Sequence, residues 1–361
     1  MEHDPKIAAG AFELPGPVQA VESHDVGHIH DSYIVTCGTP RGPRRFFLQR
    51  INHRVFHDPA LLMENVLRVA EHIRTKARDP ERETLTVVLA ADSKPCHRAD
   101  DGSWWRMYVF IEGTRTIESP DSPQQARLMA RAFGLIQQRL ADFPAPRLHE
   151  TIPLFHHTPT RLAAFEDAAS KDPCQRAQDA EEEIAFAMAR RDLARTLVDM
   201  EARGSLPERI AHNDAKINNV LLEEDTGLPL CVVDLDTVMP GIAVLDFADL
   251  VRTATSPTVE DETDIGKVEM RMPMFEALAR GYLETAGSFL SAVEINQLVT
   301  ASQVIAYETG MRFLTDYLQG DVYFKSSRER HNLDRCRTQF KLLESMEVQE
   351  AEMHRVIRRM I

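Results

Sequence analysis

The sequence predicts an α+β protein of two lobes, a small β-rich lobe and then a larger, mainly helical one. Three observations support this. Short runs rich in β-branched and aromatic residues dominate the chain as far as residue 113. Amphipathic helical patterns fill most of the chain beyond that point. A single hairpin pattern is embedded among those helices. At 361 residues the chain is long enough for two such lobes, expected at 1–113 and 114–361.

In chain order, "SYIVTC" and "RRFFLQRI" flank the Gly/Pro turn "GTPRGP" and predict a hairpin. "HDPALLMENVLRVAEHIRTKA" predicts a helix, with Asp58 as its cap and Pro59 at the first helical position. Leu62, Val66, Val69 and Ile73 form one apolar stripe on it. "ETLTVVLA" and "WWRMYVFIEG" predict a further strand pair across the polar turn "DSKPCHRADDGS", with Trp104 and Trp105 as hairpin packing. Strand character stops at "IEG", residues 111–113. Beyond it, "SPQQARLMARAFGLIQQRLADF" and "DAEEEIAFAMARRDLARTLVDMEARG" predict two long helices, the second ending at Gly204. "NVLLEEDTGLPLCVVDLDTV" predicts the embedded hairpin, and helices resume from about Pro273. The acidic stretch "TSPTVEDETDIGK", 255–267, is expected to be a mobile loop.

Bulk properties narrow the function classes. Lys+Arg number 42 and Asp+Glu 56, a formal net charge of −14. Such a chain is a poor partner for nucleic acid, whose binding runs on Lys and Arg neutralising phosphates. Five scattered cysteines with no CxxC pair argue against a zinc site or a disulfide framework and are read as small buried hydrophobes. No apolar run approaches the ~18 residues of a membrane span, and "MEHDPKIAAG" does not read as a signal peptide. A cytoplasmic protein with no membrane partner is expected, and its oligomeric state is open.

The chemistry is concentrated in "HNDAKINN" and "VVDLDT". Phosphoryl transfer needs a carboxylate to orient the attacking hydroxyl and oxygen ligands for Mg²⁺ on the nucleotide phosphates. Asp214 followed five residues later by Asn219, with Asp234 at the end of the next hairpin, meets that need. Asp214 is the expected base, and Asn219 and Asp234 the expected metal ligands. Strand alternation puts Asp234 and Asp236 on one face. His212 is read as orienting the loop, and Lys216 as reaching a phosphate or substrate oxygen. Single Asp and Asn residues are usually turn formers, but H-x-D-x-x-x-x-N is the catalytic-loop spacing of the kinase fold.

"HNDAKINNVLL", "VVDLDTVMPG" and "DFADLVR" resemble the aminoglycoside phosphotransferase and choline kinase superfamily. "GHIHDSYIV", "FLQRINHRVFHDPALLMENV", "WWRMYVFIEG" and "GMRFLTDYLQGDVYFK" extend the resemblance toward the N-acetylhexosamine 1-kinases. The resemblance implies a bilobal protein-kinase-like fold, a small antiparallel sheet with one helix before a helical lobe. It also implies ATP and Mg²⁺ as cofactors and a sugar phosphorylated at its anomeric hydroxyl. Runner-up acceptors are another hexose, an aminoglycoside, choline or homoserine; a third reading is a nucleotide-binding regulator without catalysis.

Under that resemblance the first turn, "HDVGHIHDS" with Gly27, lies over the phosphates, with Ser32 in contact. Where relatives carry a strand lysine, this chain has Gln49 followed by Arg50. Alternation sends those two to opposite faces, so one of them meets the nucleotide. Glu64 is the expected helix partner, although it lies ~200° round from Leu62. Main-chain groups near Phe110 and Glu112 are expected to bind adenine. On the acceptor side, Glu308, Arg312 and Asp316 are spaced i, i+4, i+8, which read alone is a surface charge ladder. The resemblance instead places Arg312 and Tyr323 on the sugar, with His30 and Asp31 facing it as well.

Overall fold

The computed structural model describes residues 4–24 and 29–360. The chain divides into two compact units. The first is not a contiguous 1–113: it comprises residues 1–115 together with 142–153 and 221–239. The second comprises 116–141, 154–220 and 240–361. The fold class is α+β, an antiparallel-sheet unit and a helical unit, as the sequence predicts.

The first unit opens with a short helix α1 (Pro5–Ala9) and a strand β1 (Val18–Ser23) for which the sequence carries no clear pattern. β2 (Asp31–Thr39) and β3 (Gly42–Ile51) form the expected hairpin, closed at Thr39 opposite Gly42. Gly42 has φ +111°, a conformation that L side chains rarely adopt. α2 (Pro59–Arg74) comes next, with the Asp58 carboxylate accepting from the N–H groups of Ala60 and Leu61 at 3.1 Å. The strands β4 (Val87–Val88), β5 (His97–Arg98) and β6 (Trp104–Val109) complete an antiparallel sheet in which β6 pairs with β3. β4 is far shorter than "ETLTVVLA" suggests, and β5 falls inside the segment expected to be a turn.

Val35, Cys37, Phe46, Leu48, Trp105 and Met107 bury one sheet face against Ala8, Ala9 and Phe12. Alternation therefore puts Ser32, Gln49 and Arg106, which are cross-strand neighbours, on the opposite face. The later segments join this unit through specific polar contacts. Buried Asn65 on α2 donates to the His149 carbonyl at 2.8 Å and accepts the His149 N–H at 3.0 Å. The predicted hairpin, Val220–Glu223 and Pro229–Val232, carries Thr114–Arg115 along its edge.

In the second unit α3 (Pro123–Leu140) takes Ser122 as its cap. After α4 (Thr158–Lys171) come α5 (Glu181–Ala189) and α6 (Leu193–Ala202), which replace the single long helix expected there. The break lies at Arg190, whose guanidinium forks onto Glu347 at 2.8 Å and stacks over Phe186. α7 (Val244–Ala254), α8 (Met272–Ala286), α9 (Ala292–Asn296), α10 (Leu298–Leu318) and α11 (His331–Arg358) complete the unit. α3 and α8 approach closely: a Cβ on Gly281 would lie 2.0 Å from the Arg127 carbonyl oxygen.

The 255–267 stretch is tied down rather than loose. Glu260 accepts from Arg252 at 2.7 Å, and Asp261 pairs with His331 at 3.0 Å. Four cysteines are buried as expected, but Cys174 is exposed. Among the described residues, no helix is long and apolar enough to cross a membrane.

Candidate active site

The polar face of the first sheet is organised by Arg106. Its side chain is 2% exposed, so its charge must be met within the protein. Its guanidinium nitrogens clasp Asp236, Nη2 to Oδ2 at 2.9 Å and Nη1 to Oδ1, while Nε donates to Gln49 Oε1 at 2.9 Å. Gln49 Nε2 in turn donates to Ser32 Oγ at 3.1 Å. His30 Nδ1 accepts the Asn52 N–H at 3.0 Å, so its Nε2 carries the hydrogen directed at Asp236 Oδ2, 2.7 Å away. Burial pushes the Asp236 carboxyl up, but the Arg106 and His30 partners win and hold it far below the usual carboxylate range.

This network revises several expectations. Asp234 and Asp236 do not share a strand face. The strand ends at Val232, Asp234 takes a left-handed conformation (φ +58°, ψ +58°), and residues 235–237 form a tight 3₁₀ turn. The kink leaves Asp234 exposed and Asp236 buried. A non-glycine residue in that conformation marks a backbone held by its surroundings. Glu64 does not face this cluster; it is half-exposed and pairs with His149 at 3.2 Å and Arg68 at 3.9 Å. From α2 it is Met63 that reaches Arg106, its sulfur 3.8 Å from Nη1.

The remaining residues expected on the nucleotide side lie in the same unit, together with Asp31, which the resemblance places on the sugar. Arg50 and Asp31 are directly opposite in the β2–β3 register and pair with each other, Arg50 Nε 2.7 Å from Asp31 Oδ2. Of Gln49 and Arg50, Gln49 occupies the face shared with Ser32 and Arg106. The Phe110 N–H donates to the Arg45 carbonyl at 3.2 Å, and the Arg45 guanidinium lies over the Phe110 ring. Glu112 pairs with Arg45 through its carboxylate and accepts from Arg82 through its carbonyl at 3.3 Å. Gly27 lies outside the described residues.

In the second unit the segment 212–219 is clamped by a buried carboxylate. Asp246, on α7 and 0% exposed, accepts the N–H groups of His212 and Asn213 at 2.8 Å each, and Gln137 also donates to it. His212 is buried edge-on against Phe133, in keeping with an orienting part. Asn213 is left-handed (φ +63°), which turns the chain so that Asp214 comes directly after the clamp. Asn219 Nδ2 donates to the Asp214 carbonyl at 2.8 Å and to Asp214 Oδ2 at 3.3 Å. Lys216 Nζ lies 3.0 Å from the same Oδ2. Burial raises the Asp214 pKa, but Lys216, His212 and Arg252 outweigh it and hold the carboxyl below its ordinary range. Asp214 is therefore an ionised, oriented carboxylate. With its amide nitrogen committed to Asp214, Asn219 keeps its side-chain oxygen for a cation. That oxygen and the exposed Asp234 carboxylate are donors of the hard type Mg²⁺ prefers.

Arg312 is half-buried on α10 and surrounded by rings, with its guanidinium carbon 5.2 Å from the Phe155 centroid, 5.9 Å from Tyr323 and 5.5 Å from Phe324. No charge ladder forms. Glu308 bonds His156 Nδ1 at 2.8 Å and the Thr158 hydroxyl at 2.6 Å. Asp316 accepts the N–H groups of Val322, Tyr323 and Phe324 at 2.8–2.9 Å and so fixes the loop that carries Tyr323. Among the described residues Arg312 has no hydrogen bond or ion pair. Arg161 is close enough for the Arg312 charge, together with burial, to lower its pKa.

Arg106, Asp246 and His156 organise these networks and are not among the residues the sequence singles out. Arg106 has a visible signal, a charge inside the apolar strand "WWRMYVF". Asp246 lies in "DFADLVR", which points to a family but not to a clamp. His156 carries no local signal, because its partner Glu308 is 152 residues away.

The phosphotransferase enzyme family matches residues 21–288, well over half of the chain. Solved structures of the same fold include an aminoglycoside phosphotransferase from Alicyclobacillus acidocaldarius subsp. acidocaldarius. It is 13% identical with a TM-score of 0.60, over 99% of this chain and 98% of that one. A microcompartment-associated aminopropanol kinase is 16% identical with a TM-score of 0.60, over 97% of each chain. Choline kinase from Cryptosporidium parvum Iowa II is 14% identical with a TM-score of 0.56, over 92% of this chain and 90% of that one. At such identities the likeness is one of fold. The family match is what assigns the chain: it belongs to the phosphotransferase enzyme family.

Proposed function

We propose that this phosphotransferase uses ATP to phosphorylate the anomeric hydroxyl of a free N-acetylhexosamine, GlcNAc or GalNAc, giving the sugar 1-phosphate. The observation that carries the acceptor class is Arg312. It is a guanidinium cupped by Phe155, Tyr323 and Phe324, with no ion pair among the described residues, in the same unit as Asp214. Arg161 and His156 add positive charge nearby. A cationic amine is repelled by that group, whereas hydroxyl and acetamide oxygens accept from it. The sequence resemblance to hexosamine kinases agrees with this choice.

In this reading Asp214 orients the C1 hydroxyl for in-line attack. Its depressed pKa makes it a weak base, which suits a loose transition state: the hydroxyl proton becomes acidic only as the new P–O bond forms, and Asp214 accepts it then. Asn219 and Lys216 fix the carboxylate's orientation, and the Asp246 clamp fixes the loop. Asn219, through Oδ1, and Asp234 are the residues that would hold Mg²⁺, and the ion would supply charge neutralisation on the phosphates. Ser32 Oγ is offered to the nucleotide from the polar sheet face. The Phe110 carbonyl and Glu112 N–H, with no hydrogen bonds among the described residues, are offered to the adenine.

Arg106 is a positive charge beside Gln49, the position of the relatives' strand lysine, and it is committed to Asp236 as part of the framework of the polar sheet face. That charge beside Gln49 supports the catalytic reading over that of a regulator without catalysis. Transfer of γ-labelled phosphate from ATP across GlcNAc, GalNAc, glucose, galactose, choline and kanamycin tests the proposal. Label is expected in the N-acetylhexosamines. Label in choline or kanamycin instead overturns the acceptor class, and label in none returns the regulatory reading.

A further inference from the structure

The second unit holds a buried charge pair that the chemistry above does not use. His156 Nε2 lies 2.8 Å from the Asn213 carbonyl oxygen, and His156 Nδ1 lies 2.8 Å from Glu308 Oε1. Both ring nitrogens thus face acceptors, and only an imidazolium has two hydrogens to give them. Asn213 directly precedes Asp214, and its own N–H is already held by Asp246. Asn213 is therefore gripped through its nitrogen, in the peptide before it, and through its carbonyl oxygen, in the peptide that leads to Asp214. Glu308 is 1% exposed and is braced by the Thr158 hydroxyl, so the pair is rigid. One helical turn beyond Glu308 stands Arg312, and the Phe155 ring lies against both His156 and Arg312, its centroid 4.5 Å from the His156 ring and 5.2 Å from the Arg312 guanidinium carbon.

We propose that His156, protonated and anchored by Glu308, is a positioning residue that sets the orientation of Asp214 through the Asn213 carbonyl and ties it to the acceptor-side helix. The proposal rests on the reading of 212–219 as the catalytic loop. Loss of the ring proton removes one of the two hydrogen bonds and lets the Asn213–Asp214 peptide turn. The charged groups facing the ring are the Glu308 carboxylate, which favours the proton, and the Arg312 guanidinium, which opposes it. Burial also opposes the proton, yet the Glu308 charge, its hydrogen bond and the Asn213 carbonyl prevail, and the His156 pKa stands above the ordinary imidazole value. The imidazolium is thus complete at low pH, persists above the ordinary range, and is lost as pH rises through the raised value.

The test compares wild type with Glu308→Gln, which keeps the shape and removes the charge. The alkaline limb of the kcat profile is expected to move down by about 1–3 pH units, with KM for ATP unchanged and the two enzymes alike on the acid side. A uniform loss of kcat with the same alkaline limb overturns the proposal. Imidazole ¹⁵N NMR of the wild-type chain decides the point without any activity assay. A doubly protonated His156 ring at pH 7 is expected, and a neutral ring overturns the pair even if the variant fails to fold. If the ring is protonated but no hexosamine is phosphorylated, the acceptor assignment has failed and the positioning pair stands.

Discussion

Arg106 and Arg312 are both arginines withdrawn from bulk water, and they are treated in opposite ways. Arg106 donates to Gln49, to Met63 and to both oxygens of one buried carboxylate. Among the described residues, Arg312 is offered only aromatic rings. The potential partners of Arg312 on its own helix are turned elsewhere, Glu308 to His156 and Asp316 to the loop backbone. A saturated guanidinium holds structure, and the guanidinium to which the described residues offer no anion is the one proposed to meet the acceptor. The contrast separates two kinds of charged residue that look alike in the sequence.

The largest expected effect lies outside both arginines, in the loop whose chemistry they are proposed to support. Asp214→Asn keeps the shape of the side chain and removes the oriented carboxylate. Turnover should fall roughly a hundred- to ten-thousand-fold, with the circular dichroism spectrum unchanged. Near-normal turnover would remove Asp214 from the mechanism.

Next is the saturated arginine. Arg106→Met strands the Asp236 carboxylate, partnered only by His30 among its former charged neighbours. Breaking a buried pair from one side costs about 3–5 kcal/mol, so a lower urea midpoint is expected with an unchanged slope. A midpoint equal to wild type would mean that the charge of Arg106 is not structural.

The unequal legibility of the two regions has a physical cause. The sheet, α2 and the embedded hairpin are readable because caps, turns and apolar periodicity are local. Asp214, Asn219 and Asp234 can be nominated from the sequence because their spacing along the chain is itself the signal, and their roles stand as proposals. Arg106–Asp236 spans 130 residues and His156–Glu308 spans 152, so neither pair leaves a trace in any short window. The left-handed kink at Asp234 is hidden for another reason: "VVDLDT" alternates like a strand, and only tertiary contacts such as Arg106 with Asp236 favour the turn. The α5–α6 break at Arg190 likewise depends on Glu347, far along the chain.

The smallest of these effects is also the most direct test of the central claim, that the Arg312 charge is reserved for the acceptor. The measurement is KM for the N-acetylhexosamine in Arg312→Gln at saturating ATP, with the urea midpoint taken on the same preparation. KM should rise about ten- to a hundredfold, roughly 1.4–2.8 kcal/mol of lost binding, while the midpoint stays at the wild-type value. An unchanged KM, or a midpoint that drops as far as that of Arg106→Met, would contradict the account.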